Sequence, residues 1–322
     1  MFSKSYNQLK NVLLVVLVSL VTNISAQSQS SKISTSDIDH FWEAFDSIQN
    51  TDNIDLKFQY INDLYINKGS RGLKAFMEMR DYNDSLYIKL ITAFPKFWHS
   101  VRQNTLSIKE KREDLNQAVQ KLKSLYPELK KSEMFFTIGG LRSGGTTTAD
   151  MVLIGAEIVA ATSQTDVSEF KNDWLKNVFA EQSLDNIVSM NIHEYVHTQQ
   201  IQKTGKKLLG QVIREGACDF VAELVLEKPL QRKYISYGNE HLDSLKVAFK
   251  KEMLSEDYSN WLYNGGKKGE SADLGYFIGY QICKSYYNQS SDKIEAIKQI
   301  IELDYSDDTA AQRFLTESGF LE

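Results

Sequence analysis

Apolar residues recur at helical spacing along most of the chain. Ile38, Phe41, Trp42, Phe45 and Ile48 fall on one face of a helix, and Ser36 with Asp39 resembles a capping-box start. The same period returns in Phe58, Ile61, Leu64 and Tyr65, and again in Leu86, Leu90, Ile91 and Phe94. Leu115, Val119, Leu122 and Leu125 form another such stripe, which Pro127 stops. From residue 134 the pattern changes. Residues 134–138 and 151–154 read as short strands joined by the glycine-rich run Gly139-Gly140-Leu141-Arg142-Ser143-Gly144-Gly145-Thr146. Helical spacing then resumes in Phe170, Trp174, Leu175 and Val178, in residues 184–203 and in the run from Leu209 to Leu224. Further helices are expected over 241–253, 273–287, 293–303 and 308–318. The fold class predicted is α+β and predominantly α-helical, with a small sheet beside the helix at 184–203. No internal repeat is evident.

The helix at 184–203 carries the chemistry. Ser183 is placed to cap it, Asp185 sits in its first turn, and Gly205 offers a stop. Ile187, Val188, Ile192 and Val196 give it an apolar face, and between them lies His193-Glu194-Tyr195-Val196-His197, an H-E-x-x-H motif. Residues four apart share a helix face, so both imidazoles project together as a two-pronged grip for Zn²⁺. Glu194 between them would hold and deprotonate a metal-bound water. A catalytic zinc takes a third protein ligand. If the chain turns near Gly205, the next helix folds back and Glu215 reaches the metal, while Asp219, one turn later, accepts the second ring N–H of a ligating histidine. Glu223 and Cys218 are the competing ligands, Glu223 two turns along the same stripe and Cys218 off that face. Tyr276, with Tyr280 and His241 behind it, is the candidate donor to a developing oxyanion.

H-E-x-x-H followed by E-x-x-x-D resembles the gluzincin, thermolysin-like zinc metallopeptidases. The E-G-x-x-D form, with Gly-Tyr-x-x-Gly-Tyr downstream, resembles a family of bacterial predicted zinc-dependent proteases. The likeness runs from about Met134 to the C-terminus. It implies a zincin-like core over 131–322, one Zn²⁺ held by His193, His197 and Glu215, Asp219 behind the ligands, and a hydrolase acting on a peptide or protein. Two departures stand out. Arg214 replaces the Asn that often precedes the third ligand, and no exopeptidase G-A-M-E-N motif is present.

The N-terminus reads as an export signal over residues 1–26. Lys4 and Lys10 precede an apolar run, and Ser25-Ala26 forms a small-residue cleavage site. The run is short for a transmembrane span, an uncleaved membrane anchor being the alternative reading, and no Cys stands at the cleavage point to take a lipid. The expected organisation is a signal peptide, an N-terminal helical region over 27–130 and a metallopeptidase domain over 131–322, in a secreted or periplasmic protein. A net charge of −5 over 322 residues gives no reason to expect nucleic acid or an anionic membrane as partner. The glycine-rich run lacks a phosphate-loop pattern; it reads either as a hairpin connection or as the border of a strand edge that pairs with an extended substrate. Two readings compete with the exported peptidase. One is a non-proteolytic envelope or secreted protein that keeps zinc for structure or binding, the other a helical protein without metal.

Overall fold

Two apolar strands buried on both faces organise the sheet. In the computed structural model, which describes residues 32–171, 173–203, 205–264 and 272–322, β2 (Glu133–Thr137) and β4 (Met151–Gly155) pair in parallel, with Phe135 opposite Leu153. Met134, Phe135, Phe136, Val152, Leu153 and Ile154 are all buried, the continuous apolar pattern of strands covered on both sides. The sheet has the order β1-β2-β4-β3. β1 (Ile33–Ser34) lies parallel to β2, and β3 (Gly145–Thr147) runs antiparallel to β4. The hairpin connection expected between the two long strands is therefore corrected: the tight return joins β3 to β4. Residues 138–150 make a parallel crossover instead, and such a crossover needs about a dozen residues. This α+β fold is mostly helical, as its apolar spacing predicts.

Helices cover the sheet. Along the chain they are α1 (Ser36–Gln49), α2 (Ile54–Tyr60), α3 (Arg71–Arg80), α4 (Asp84–Ala93), α5 (Pro95–Ser107), α6 (Arg112–Leu125), α7 (Ala156–Val159) and α8 (Trp174–Glu181). After them come α9 (Ile187–His197), α10 (Leu208–Leu226), α11 (Lys233–Glu240), α12 (Leu242–Glu252), α13 (Leu274–Gln289), α14 (Lys293–Glu302) and α15 (Asp308–Glu317). Asn53, Ser70, Asn83, Asp292 and Asp307 each accept backbone N–H bonds at a helix start, which is why their helices begin there. α3 rests on β2 at Gly72, where any Cβ would strike the Phe135 ring. Phe41, Trp42, Tyr65 and Trp98 pack edge-on and tilted around α1, with centroids 5.0–6.3 Å apart. Residues 31–322 form one compact unit. Among the described residues no helix is long and apolar enough to cross a membrane. The expected signal peptide, residues 1–26, lies outside the described residues.

The glycines of the two downstream motifs have a packing role. α10 and α13 cross at Gly216 and Gly279: a Cβ on Gly216 would lie 2.0 Å from the Tyr280 amide nitrogen, and one on Gly279 would lie 1.7 Å from the Val212 carbonyl oxygen. Neither obstacle is a side chain that can swing away. Gly279→Ala should therefore cost more than the ~1–3 kcal/mol typical of core overpacking. The check is the denaturant midpoint of the variant; a midpoint equal to that of the parent chain would show that the crossing tolerates a methyl group.

Candidate metal centre

α9 stops sooner than its apolar pattern suggests. Ser183 accepts from the Asp185 amide and starts a 3₁₀ turn over Leu184–Asn186, from which α9 runs to His197 and not on to residue 203. Side chains at its end compete for the last carbonyls. Thr198 Oγ1 donates to Tyr195 O at 2.7 Å, and Gln202 Nε2 donates to His197 O at 3.1 Å. The chain turns under the helix, so that Gln200 Oε1 accepts from His197 Nδ1 at 2.7 Å.

α10 then passes beside α9 and brings up its acids. Glu215 Oε2 lies 3.2 Å from His197 Nε2 and 3.5 Å from His193 Nε2. Ligand atoms on a tetrahedral zinc with bonds of about 2.0–2.2 Å stand about 3.4 Å apart, so both of these contacts have the spacing of neighbouring ligand atoms. The far ring nitrogens are occupied. His193 Nδ1 donates to Asp219 Oδ1 at 2.8 Å, and Asp219 Oδ2 accepts from the Tyr234 hydroxyl at 2.6 Å. With Nδ1 of each ring engaged, Nε2 of each ring is left facing Glu215.

The electrostatics favour a cation at this point. Glu215 and Asp219 are 4% and 2% exposed, and Glu194 adds a third carboxylate, with Arg214 the nearby counter-charge. Burial alone would lower the His193 pKa, but the charge and hydrogen bond of Asp219, with Glu215 and Glu194 behind, push it up to about 10. Burial resists the ionised form of Glu215, yet His197 and His193 hold its carboxyl well below the usual range. Nitrogen and carboxylate donors of this kind suit zinc. The residues fit the metal.

The remaining candidates separate cleanly. Cys218, expected off the ligand face, places Sγ 3.3 Å from His197, but from Nδ1, the nitrogen already turned to Gln200. Its sulfur and one ring nitrogen from each of His193 and His197 lie within 4.8 Å of one another. The Glu215 set is the better cradle, because it uses the two free ring nitrogens, whereas burial pushes the Cys218 thiol well up. Cys218 and Cys283 are both buried and free, so they do not pair. Glu223 is drawn elsewhere, accepting from the Tyr280 hydroxyl at 2.5 Å and from the Leu230 amide at 3.2 Å. Tyr276 stands with its ring 6.1 Å from that of His193 and 5.7 Å from that of Tyr234, as part of an aromatic wall. His241 stacks on Tyr237 at the surface, 4.0 Å between centroids. Glu194 reaches across to β3, where a Cβ on Gly145 would lie 2.6 Å from its Oε1.

Three contributors escape a reading of the motif. Gln200 lies three residues past His197, visible in sequence but hidden by the expectation of a continuous helix. Tyr234 and Tyr263 arrive from segments remote in the chain; the Tyr263 hydroxyl donates to Glu215 Oε1 at 2.9 Å.

The model of one family, described as gliding motility protein GldB, matches residues 23–253. No curated protein and no solved structure matches the chain. The family match overturns the resemblance to gluzincin metallopeptidases, and with it the expectations of a hydrolase, a metalloprotease and a peptide substrate. The physical reason is that H-E-x-x-H spacing dictates where two imidazoles point. It is silent on whether a bound water ever attacks a substrate.

The pH dependence of the metal-free chain tests the acid–histidine network. The folded pKa of His193, about 10, exceeds its unfolded value near 6.5. Its contribution is thus complete below pH 6.5 and is lost as pH rises towards 10. With chelator present, the melting temperature of the parent chain should fall across that window, and Asp219→Asn should flatten the fall. Parallel curves for the two proteins would contradict the arrangement.

Proposed function

The chain belongs to the gliding motility protein GldB family, and from that premise we propose that it is a non-proteolytic part of the gliding apparatus which holds one zinc ion for structure. The family is one of lipoproteins, which puts the chain at the cell envelope. Within the envelope we place it on the exported side, periplasmic or extracellular, in keeping with the leader-like residues 1–26.

The observation that supports the metal is the approach of Glu215 Oε2 to His197 Nε2 at 3.2 Å and to His193 Nε2 at 3.5 Å, each ring backed by its own acceptor. Bound there, zinc would supply a cross-link between α9 and α10, and the free energy of binding a preformed site adds to that of folding. Asp219 and Gln200 fix the two rings in the orientation the link requires. Glu194 lies against β3 at Gly145, and Tyr276 lies beside the His193 ring. In this reading they are polar and aromatic walls with no turnover assigned to them.

Metal analysis of protein purified without added zinc should find about one zinc per chain, and the His193→Ala, His197→Ala double variant should have none. Chelation should lower the melting temperature of the parent chain and leave the double variant unmoved. Absence of metal in the parent chain would remove the structural role. Hydrolysis across a broad peptide library, abolished by Glu194→Gln, would remove the non-proteolytic reading.

A further inference from the structure

Glu215 uses its two oxygens for different purposes. Oε2 faces the two imidazoles, while Oε1 accepts from Arg214 Nη1 at 3.1 Å and from the Tyr263 hydroxyl at 2.9 Å. Arg214 is the enclosed donor of the two, and Tyr263 reaches the carboxylate from a largely exposed position. Arg214 is the immediate neighbour of Glu215 on α10, with a side chain only 15% exposed. Tyr263 takes a left-handed backbone, φ 56°, which a non-glycine residue adopts at a cost, and its hydroxyl lies against the carboxylate.

A carboxylate that ligates through both oxygens takes up an additional position and brings its whole charge to the metal. One whose second oxygen already accepts from a guanidinium and a hydroxyl cannot do either. We propose that Arg214 and Tyr263 are the positioning residues that keep Glu215 a one-oxygen ligand and weaken its donation, setting both the coordination number and the affinity of the centre. This rests on the zinc site described under Proposed function. The cation beside the ligand also repels a second cation through a partly buried medium, where charge pairs interact more strongly than in water. The centre is thus built to hold its metal less tightly than its three donors alone would.

The test is metal binding, read without any activity. Zinc affinity is measured by chelator competition, and Co²⁺-substituted protein by visible absorption, in the parent chain, Arg214→Gln, Arg214→Lys, Tyr263→Phe and the Arg214→Gln, Tyr263→Phe double variant. Arg214→Gln should bind zinc roughly tenfold more tightly, the scale of a single nearby charge in a part-buried site. Arg214→Lys, which keeps the charge, should stay within about threefold of the parent chain on the same reckoning. The double variant should show weaker Co²⁺ bands, as the freed Oε1 turns to the metal and raises the coordination number. Folding of each variant is checked by circular dichroism. A folded double variant with the zinc affinity and Co²⁺ spectrum of the parent chain would overturn the proposal, as would weaker zinc binding in folded Arg214→Gln. Failure of the parent chain to bind either metal would instead refute the zinc site itself, so the two ideas fall separately.

Discussion

Two carboxylates, Glu215 and Asp219, are buried one turn apart on a helix whose other buried residues are apolar except Gln211. Leaving either charge there without partners would cost several kcal/mol. Much of the surrounding structure meets that demand. α9 breaks at His197 so that its rings face α10 with their outer nitrogens capped. Tyr234 and Tyr263 come from other segments to donate to the acids, and Arg214 supplies a cation in place. The close crossing of α10 on α13 at Gly216 and Gly279 lets the helix that carries the acids lie deep enough for this to be worthwhile.

How much of this was legible in sequence follows from how local each feature is. Helix periodicity and capping are decided within a few residues, and helices expected at 241–253, 273–287, 293–303 and 308–318 form within a residue or two of those limits. The facing of His193 and His197 is likewise a consequence of helix geometry. Their nearness to Glu215 and Asp219 needed only a turn between two helices, and Gly205 lies in it. The parallel pairing of β2 with β4 was not legible, because a glycine-rich connection fits a hairpin and a crossover alike. The early end of α9 was missed because Thr198, Gln200 and Gln202 act against the apolar pattern through side-chain bonds that only the folded chain makes. Tyr263 sits 48 residues from the carboxylate it touches.

The least legible property was what the centre is for. A zinc cradle is defined by a few atoms on two helices, and the same atoms serve a hydrolase or a structural clip. Membership of a gliding motility family shifts the balance to the latter.

The placement of β1 has a mechanical side. Its two residues run parallel to β2, tied by the Met134 amide to Lys32 O at 2.9 Å, and just beyond them buried Asp37 accepts from the Ser70 amide and hydroxyl at 2.9 and 2.5 Å. Tension entering through the N-terminus along β1 loads these bonds in shear, together, instead of peeling them one after another. A pull on the chain at Lys32 therefore meets the strand pairing and the Asp37 latch as one fastening.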